Sequence, residues 1–138
     1  MKQLTLFEEN ILTTLKPIKH WAYNTEVVEH IDKRYGIDRR GNVYDHKKKR
    51  FLSTASIAHE KGYIMVNLPP TLCNRKYKQY LVHRLVACTF LENNNKLLYN
   101  QVDHIDEDKT NHHVLNLRWV TASENKKKKE NKKQLEMF

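Results

Sequence analysis

The chain has 138 residues, 39% of them hydrophobic, and its 25 Lys and Arg against 16 Asp and Glu give a formal net charge of +9. That length suits one domain with a small core. So basic a chain suits a polyanionic partner, most often nucleic acid, although charge by itself only keeps a protein soluble. No run approaches the ~18 apolar residues of a membrane-spanning helix. No signal-peptide pattern opens the sequence. The two cysteines, Cys73 and Cys88, form no CxxC pair. They read as reduced thiols, with Cys88 in the apolar run Val86 to Phe90, and they do not supply the paired ligands of a zinc site.

In chain order, Leu4, Phe7, Ile11 and Leu15 recur at helical spacing, with Pro17 as the expected stop. Two extended stretches then flank Arg39-Arg40-Gly41-Asn42, which predicts a β-hairpin. Lys47, Lys48, Lys49 and Arg50 form a charge run at a second turn. The segment "GYIMVNL", Gly62 to Leu68, is β-rich and ends at Pro69-Pro70. "YKQYLVHRLVACTFLE" reads as a strand entering a helix whose buried side includes Leu85, Val86, Cys88, Thr89 and Phe90. After the loop "NNNKLLYNQ", "QVDHI" and "LRWVT" read as short strands and "ASENKKKKENKK" as a helix, capped by Thr121 or Ser123. The expected class is α+β.

The segment from Asp103 to Asn125, "DHIDEDKTNHHVLNLRWVTASEN", therefore reads strand, long loop, strand, helix. A tight unit of that kind brings its first strand against its last helix. A carboxylate on the strand and an amide oxygen on the helix are hard ligands, suited to Mg²⁺ or Mn²⁺. A neutral imidazole beside them can take a proton from water, because its ordinary pKa lies near 6.5. An EF-hand is excluded by the missing sixth-position glycine and terminal glutamate. Asp106 and Asp108 suit turning the loop.

"VHRLVACTF", "VDHIDEDKTN" and "NLRWVTASEN" together resemble the HNH endonuclease family, in the phage and intron homing branch where the final histidine is an asparagine. The resemblance runs from about Val82 to Asn125. Upstream, "YGIDRRGNVYDHKKKRFL" and "GYIMVNL" resemble the small β-rich DNA-contacting module that often precedes this core, with Asp38 where serine is common. The resemblance implies a ββα-metal nuclease core preceded by that module. It divides the chain into 1–17 (helix or linear motif), 18–80 (β-rich DNA-contacting region), 81–127 (nuclease core) and 128–138 (basic tail).

Carried over residue by residue, the resemblance makes His104 the general base and Asp103 a metal ligand. Asn116 becomes the residue that braces the loop and orients the histidine strand, and Asn125 the second metal ligand. The implied reaction is Mg²⁺- or Mn²⁺-dependent phosphodiester hydrolysis of double-stranded DNA, leaving 5′-phosphate and 3′-hydroxyl ends, with a monomer nicking one strand. The implied location is the cytoplasm of a bacterial or phage-infected cell.

Expected DNA contacts are Arg39, Arg40, Lys47, Lys48, Lys49 and Arg50 on the hairpin. In and after the core they are His83, Arg84, His112, His113, Arg118, Lys126 and Lys127. A solvated charged face would explain the lysine runs equally, and His83 suits packing as well as DNA backbone contact. The sequence also begins "MKQLTLF" and ends "KKQLEMF". Gln3, Leu4, Leu6 and Phe7, and Gln134, Leu135, Met137 and Phe138, resemble the peptide motif with which replication proteins dock on a sliding clamp. Two other classes stay open at this point: a non-catalytic DNA-binding module with this fold, and a clamp-interacting protein.

Overall fold

The computed structural model describes residues 13–56, 62–70 and 77–136. Its strands are β1 (Lys16–Pro17), β2 (Lys19–His20), β3 (Glu29–His30), β4 (Tyr35–Ile37), β5 (Val43–Asp45), β6 (Arg50–Phe51), β7 (Ala55–Ser56), β8 (Ile64–Leu68) and β9 (Lys78–Leu81). Helix α1 (Val82–Phe90) follows directly, then β10 (Gln101–His104), a 3-10 turn (Val114–Asn116), β11 (Leu117–Val120) and helix α2 (Ala122–Glu136). The strands pair antiparallel in four small sheets, ordered β1-β4-β5-β6, β2-β3, β7-β8-β9 and β10-β11.

The expected hairpin is β4 and β5, with Ile37 opposite Val43. Its turn is organised by the residue that departs from the family pattern. Asp38 Oδ1 accepts from the backbone N–H groups of Arg40 and Asn42, both at 2.9 Å, and its Oδ2 accepts from Asn42 Nδ2 at 3.0 Å. A serine could not make the third bond, because it carries one oxygen. Gly41 has φ +87°, and a Cβ there would collide with the His112 ring and approach Val82 Cγ1 to 2.9 Å. The next turn, carrying Lys47 to Lys49, hangs from Asp45. That carboxylate is 1% exposed and accepts two bonds from the Arg34 guanidinium, at 2.9 and 2.8 Å. It also accepts from the backbone N–H groups of Lys47 and Lys48. The Arg34 guanidinium holds the Asp45 carboxyl well below the usual carboxylate range.

Helix α1 is buried from Val82 to Cys88, polar residues included. The core cluster joins Ile18, Ile31, Ile37 and Val43 to Val66, Tyr80, Leu85, Val86, Val114 and Leu117. Residues from both sides of position 81 therefore share one core. Two bonds fasten the hairpin turn to the loop before β11: Val114 N–H donates to Arg39 O at 2.8 Å, and His112 Nδ1 lies 2.7 Å from Arg40 O. Trp21 stacks on Trp119 with ring centroids 5.3 Å apart.

Where the expected N-terminal helix can be seen, Thr13 and Thr14 are helical and the helix ends before Pro17. Pro17 does not simply stop a helix. Lys16 and Pro17 pair with Ile37 and Gly36 at the edge of a sheet, a position that tolerates proline because an edge strand has N–H positions free of the ladder. The rest of the expected helix lies outside the described residues. Strands β1, β2, β3 and β7 are two residues long and have no counterpart in the sequence reading. Cys88 is buried, and burial pushes its thiol up to about 12, so it is an inert thiol at neutral pH. Cys73 lies outside the described residues.

Candidate active site

Strands β10 and β11 pair with Asp103 opposite Arg118 and His104 opposite Leu117. Helix α2 follows β11 after one residue. Thr121 starts it, with Oγ1 accepting from Glu124 N–H at 3.1 Å, and bonds from Asn125 to Gln101 and from Lys128 to Asp103 tie the helix to β10. Asp103, His104 and Asn125 line one cleft of about 410 Å³, with Tyr63 on one side and Lys128, Lys129, Lys132 and Lys133 on the other.

Asp103 and His104 are each 6% exposed. Asp103 Oδ2 accepts from Arg118 Nε at 2.9 Å, while Lys128 Nζ reaches Oδ1 at 2.8 Å and Oδ2 at 3.0 Å. The His104 ring packs on the other side, with centroids 4.8 Å from His83 and 5.9 Å from Tyr63. Adjacent strand residues thus present opposite faces, as the pleat dictates. His104 Nε2 is enclosed and has no hydrogen-bond partner. Burial lowers the His104 pKa, and the negative charges of Asp103 and Asp106 oppose that shift. His83 is pushed down to about 3, mainly by burial, so it is neutral beside His104 at neutral pH.

Asn116 ties the two ends of the loop between the strands. Its Nδ2 donates to Asp106 Oδ1 and to Asn111 O, both at 2.8 Å, and its Oδ1 accepts from Asp106 N–H at 3.0 Å. Its backbone oxygen accepts from Ile105 N–H at 2.8 Å, next to His104. Asp106 and Asp108 turn the loop, as expected: Asp106 Oδ1 accepts from Asp108 N–H, and Asp108 Oδ1 from Thr110 N–H and Oγ1–H. Bonds from Asn111, Asp108 and Asn116 hold the Asp106 carboxyl below its ordinary range. Asn125 Nδ2 donates to Gln101 Oε1 at 2.6 Å, which fixes the amide.

The oxygens of Asp103 and Asn125 meet the donor chemistry of a hard divalent ion, which keeps most of its waters and takes few protein ligands. An ammonium already sits on both Asp103 oxygens, so the carboxylate is a cation-binding position. Among the described residues no cluster of three or more His, Cys, Asp or Glu side chains could hold a metal.

Curated relatives are similar over about two thirds of the chain. An uncharacterized HNH endonuclease, L245, of Acanthamoeba polyphaga mimivirus is 35% identical over 91 residues, covering 66% of this chain and 26% of the relative. A putative HNH homing endonuclease, YosQ, derived from the SPbeta prophage of Bacillus subtilis strain 168, is 38% identical over 89 residues, covering 64% and 48%. The solved structure of the HNH homing endonuclease I-HmuI, described by its DNA binding and cleavage, superposes with a TM-score of 0.61 at 33% identity, covering 73% of this chain and 54% of that one. This chain belongs to the HNH endonuclease family. It spans no more than about half the length of the curated relatives it matches. No protein-family model matches it.

Within this HNH fold, two expected DNA contacts need correction. Arg84 is 2% exposed; its guanidinium donates to Trp21 O and Asn100 O and lies 4.1 Å over the Tyr23 ring. His83 is 5% exposed and stacks on Tyr63. Both are in the interior because α1 is buried all round. His112 and His113 are half-buried, with ring nitrogens engaged by Arg40 O and Leu115 N–H. Arg39, Arg40, Lys47, Lys48, Lys49, Arg50, Lys126 and Lys127 are exposed. Arg118 is exposed too, with its Nε on Asp103. The terminal motifs fall outside the described residues, apart from the backbone of Gln134 and Leu135 at the end of α2. Among the described residues no helix is long and apolar enough to cross a membrane.

The sequence reading left Lys128 and Tyr63 out of the site. Lys128 follows Asn125 by three residues on a helix, so it shares Asn125's face, and that spacing could have found it. Tyr63 immediately precedes β8, far from this segment in sequence, and no local pattern marks it.

Proposed function

We propose that the chain is a Mg²⁺- or Mn²⁺-dependent HNH endonuclease that hydrolyses a phosphodiester bond in double-stranded DNA, nicking one strand as a monomer. The observation that carries this reading is the buried pair Asp103 and His104 opening onto a cleft walled by lysines. Asp103 and Asn125 would hold the ion, which when bound would neutralise charge on the scissile phosphate and its leaving oxygen.

The protein's own part is orientation and proton transfer. His104 Nε2 is enclosed, so Nδ1 is the ring nitrogen left to act on water, which requires the neutral tautomer with its proton on Nε2. A lowered pKa keeps His104 unprotonated at neutral pH, as a base must be. Neutral His83 adds no positive charge against the imidazolium that forms. Asn116 holds the loop that follows His104. The basic turns and the lysines of α2 would bind backbone phosphates, which makes affinity fall steeply with salt. One base and one ion position cut one strand, with the phosphate left on the 5′ end.

Supercoiled plasmid incubated with Mg²⁺, with and without EDTA, tests the reading. Open-circle product that EDTA abolishes is expected. DNA binding with no product in either divalent ion would favour a non-catalytic module of the same fold.

A further inference from the structure

Lys128 is set apart from the other lysines of α2. Residues 125, 128, 129 and 132 recur at helical spacing, and all four face the cleft at Asp103. Lys129 and Lys132 extend into it as exposed side chains. The Lys128 side chain is 26% exposed, and its ammonium donates to three protein oxygens: Asp103 Oδ1 at 2.8 Å, Asp103 Oδ2 at 3.0 Å and the His104 carbonyl at 2.9 Å. An ammonium has three N–H donors, so this set accounts for all of them.

Asp103 has one other cationic neighbour among the described residues, Arg118, which binds only Oδ2. Oδ1, the remaining oxygen, belongs to Lys128. A divalent ion on that oxygen would stand within contact distance of the ammonium, so the two positive charges compete for the carboxylate. Lys128 has somewhere to go. Lys129, Lys132 and Lys133 line the same cleft, where the family reading puts DNA phosphate.

Resting on the metal-dependent reading above, we propose that Lys128 is an internal counter-cation of Asp103. It holds the carboxylate in place until a divalent ion displaces it, and ion loading sends its charge toward the phosphate-binding side of the cleft. Lys128 is a positioning residue under this proposal, and it sets how tightly the enzyme takes its ion before DNA arrives.

Isothermal titration of the full chain with MnCl₂ alone, without DNA and at fixed ionic strength, reads this without any cleavage. Lys128→Met and Lys128→Gln are both measured, each checked for folding by thermal denaturation, so that failure of one side chain to pack does not end the test. Lys128→Arg keeps the charge. The expected result is Mn²⁺ affinity at least about tenfold higher in Lys128→Met and Lys128→Gln than in the wild type, with Lys128→Arg close to wild type. Asp103→Asn combined with Lys128→Met should lose the site. Equal or weaker binding by the neutral variants, with binding still dependent on Asp103, would overturn the counter-cation proposal and leave the metal-dependent reading standing. Absence of Asp103-dependent binding in every protein would overturn both.

Discussion

Replacing Asn116 with alanine removes three side-chain hydrogen bonds from the loop that follows His104. One of them goes to the Asp106 carboxylate at 2.8 Å, and two involve backbone groups of Asn111 and Asp106. At roughly 1 kcal/mol for each ordinary bond and somewhat more for the charge-assisted one, discounted for partial exposure, local stability should fall by about 2 kcal/mol. The Asp106 amide reports this directly, since it donates to Asn116 Oδ1. Its hydrogen-exchange protection should drop about 30-fold, because about 1.4 kcal/mol is a factor of ten. Asn116→Asp should be worse. It removes the two N–H donors and sets a second carboxylate 2.8 Å from Asp106 Oδ1, where two negative charges repel. Exchange measured by NMR, with plasmid nicking alongside, should rank wild type, then Asn116→Ala, then Asn116→Asp. Wild-type protection at Asp106 in Asn116→Ala, or an aspartate variant more protected than the alanine one, would refute the bracing account.

Three further outcomes follow. Stability should decline as pH falls below about 6.5, because His83 is pushed down to about 3 and His20 to about 4 by burial. The unfolded chain then binds protons that these two residues refuse in the folded state. By pH 5 the loss should approach roughly 2 kcal/mol per histidine, less in His83→Gln, and urea denaturation with no pH dependence between 7 and 5 would contradict it. Gly41→Ala places a Cβ at φ +87° against His112 and Val82. It should cost roughly 2–3 kcal/mol in the same assay, and a change below about 0.5 kcal/mol would mean that the hairpin turn is not packed on the nuclease loop. The Gln-Leu motifs predict retention on a purified bacterial sliding clamp that a Gln134→Ala/Phe138→Ala variant loses, and equal retention of the two proteins would remove the clamp from consideration.

The strand, loop, strand and helix around Asp103 were legible because that unit is local. Asp103, His104, Asn116 and Asn125 sit in one run of 23 residues, and strand and helix periods suffice to order it. The hairpin around Gly41 was legible for the same reason, since Gly-Asn between β-rich stretches needs no partner elsewhere. The two-residue strands were not, because a pair such as Lys16 with Ile37 is fixed by tertiary packing and leaves no period to read. Arg84 misled because a basic residue in a basic protein suggests phosphate, whereas its partners are carbonyls of Trp21 and Asn100, distant in sequence. Lys128 was lost in a run of four lysines. Only the height of β10 against α2 separates the one that touches Asp103 from its neighbours.

The central claim is that His104 does the chemistry while other residues hold the DNA. Nicking of supercoiled plasmid in Mg²⁺ by wild type and His104→Ala, with DNA affinity of both proteins measured by gel shift in EDTA, tests it most directly. The account predicts a wild-type nick and a loss of at least about 100-fold in rate for His104→Ala, with affinity unchanged within about twofold. Nicking by His104→Ala at the wild-type rate would contradict it.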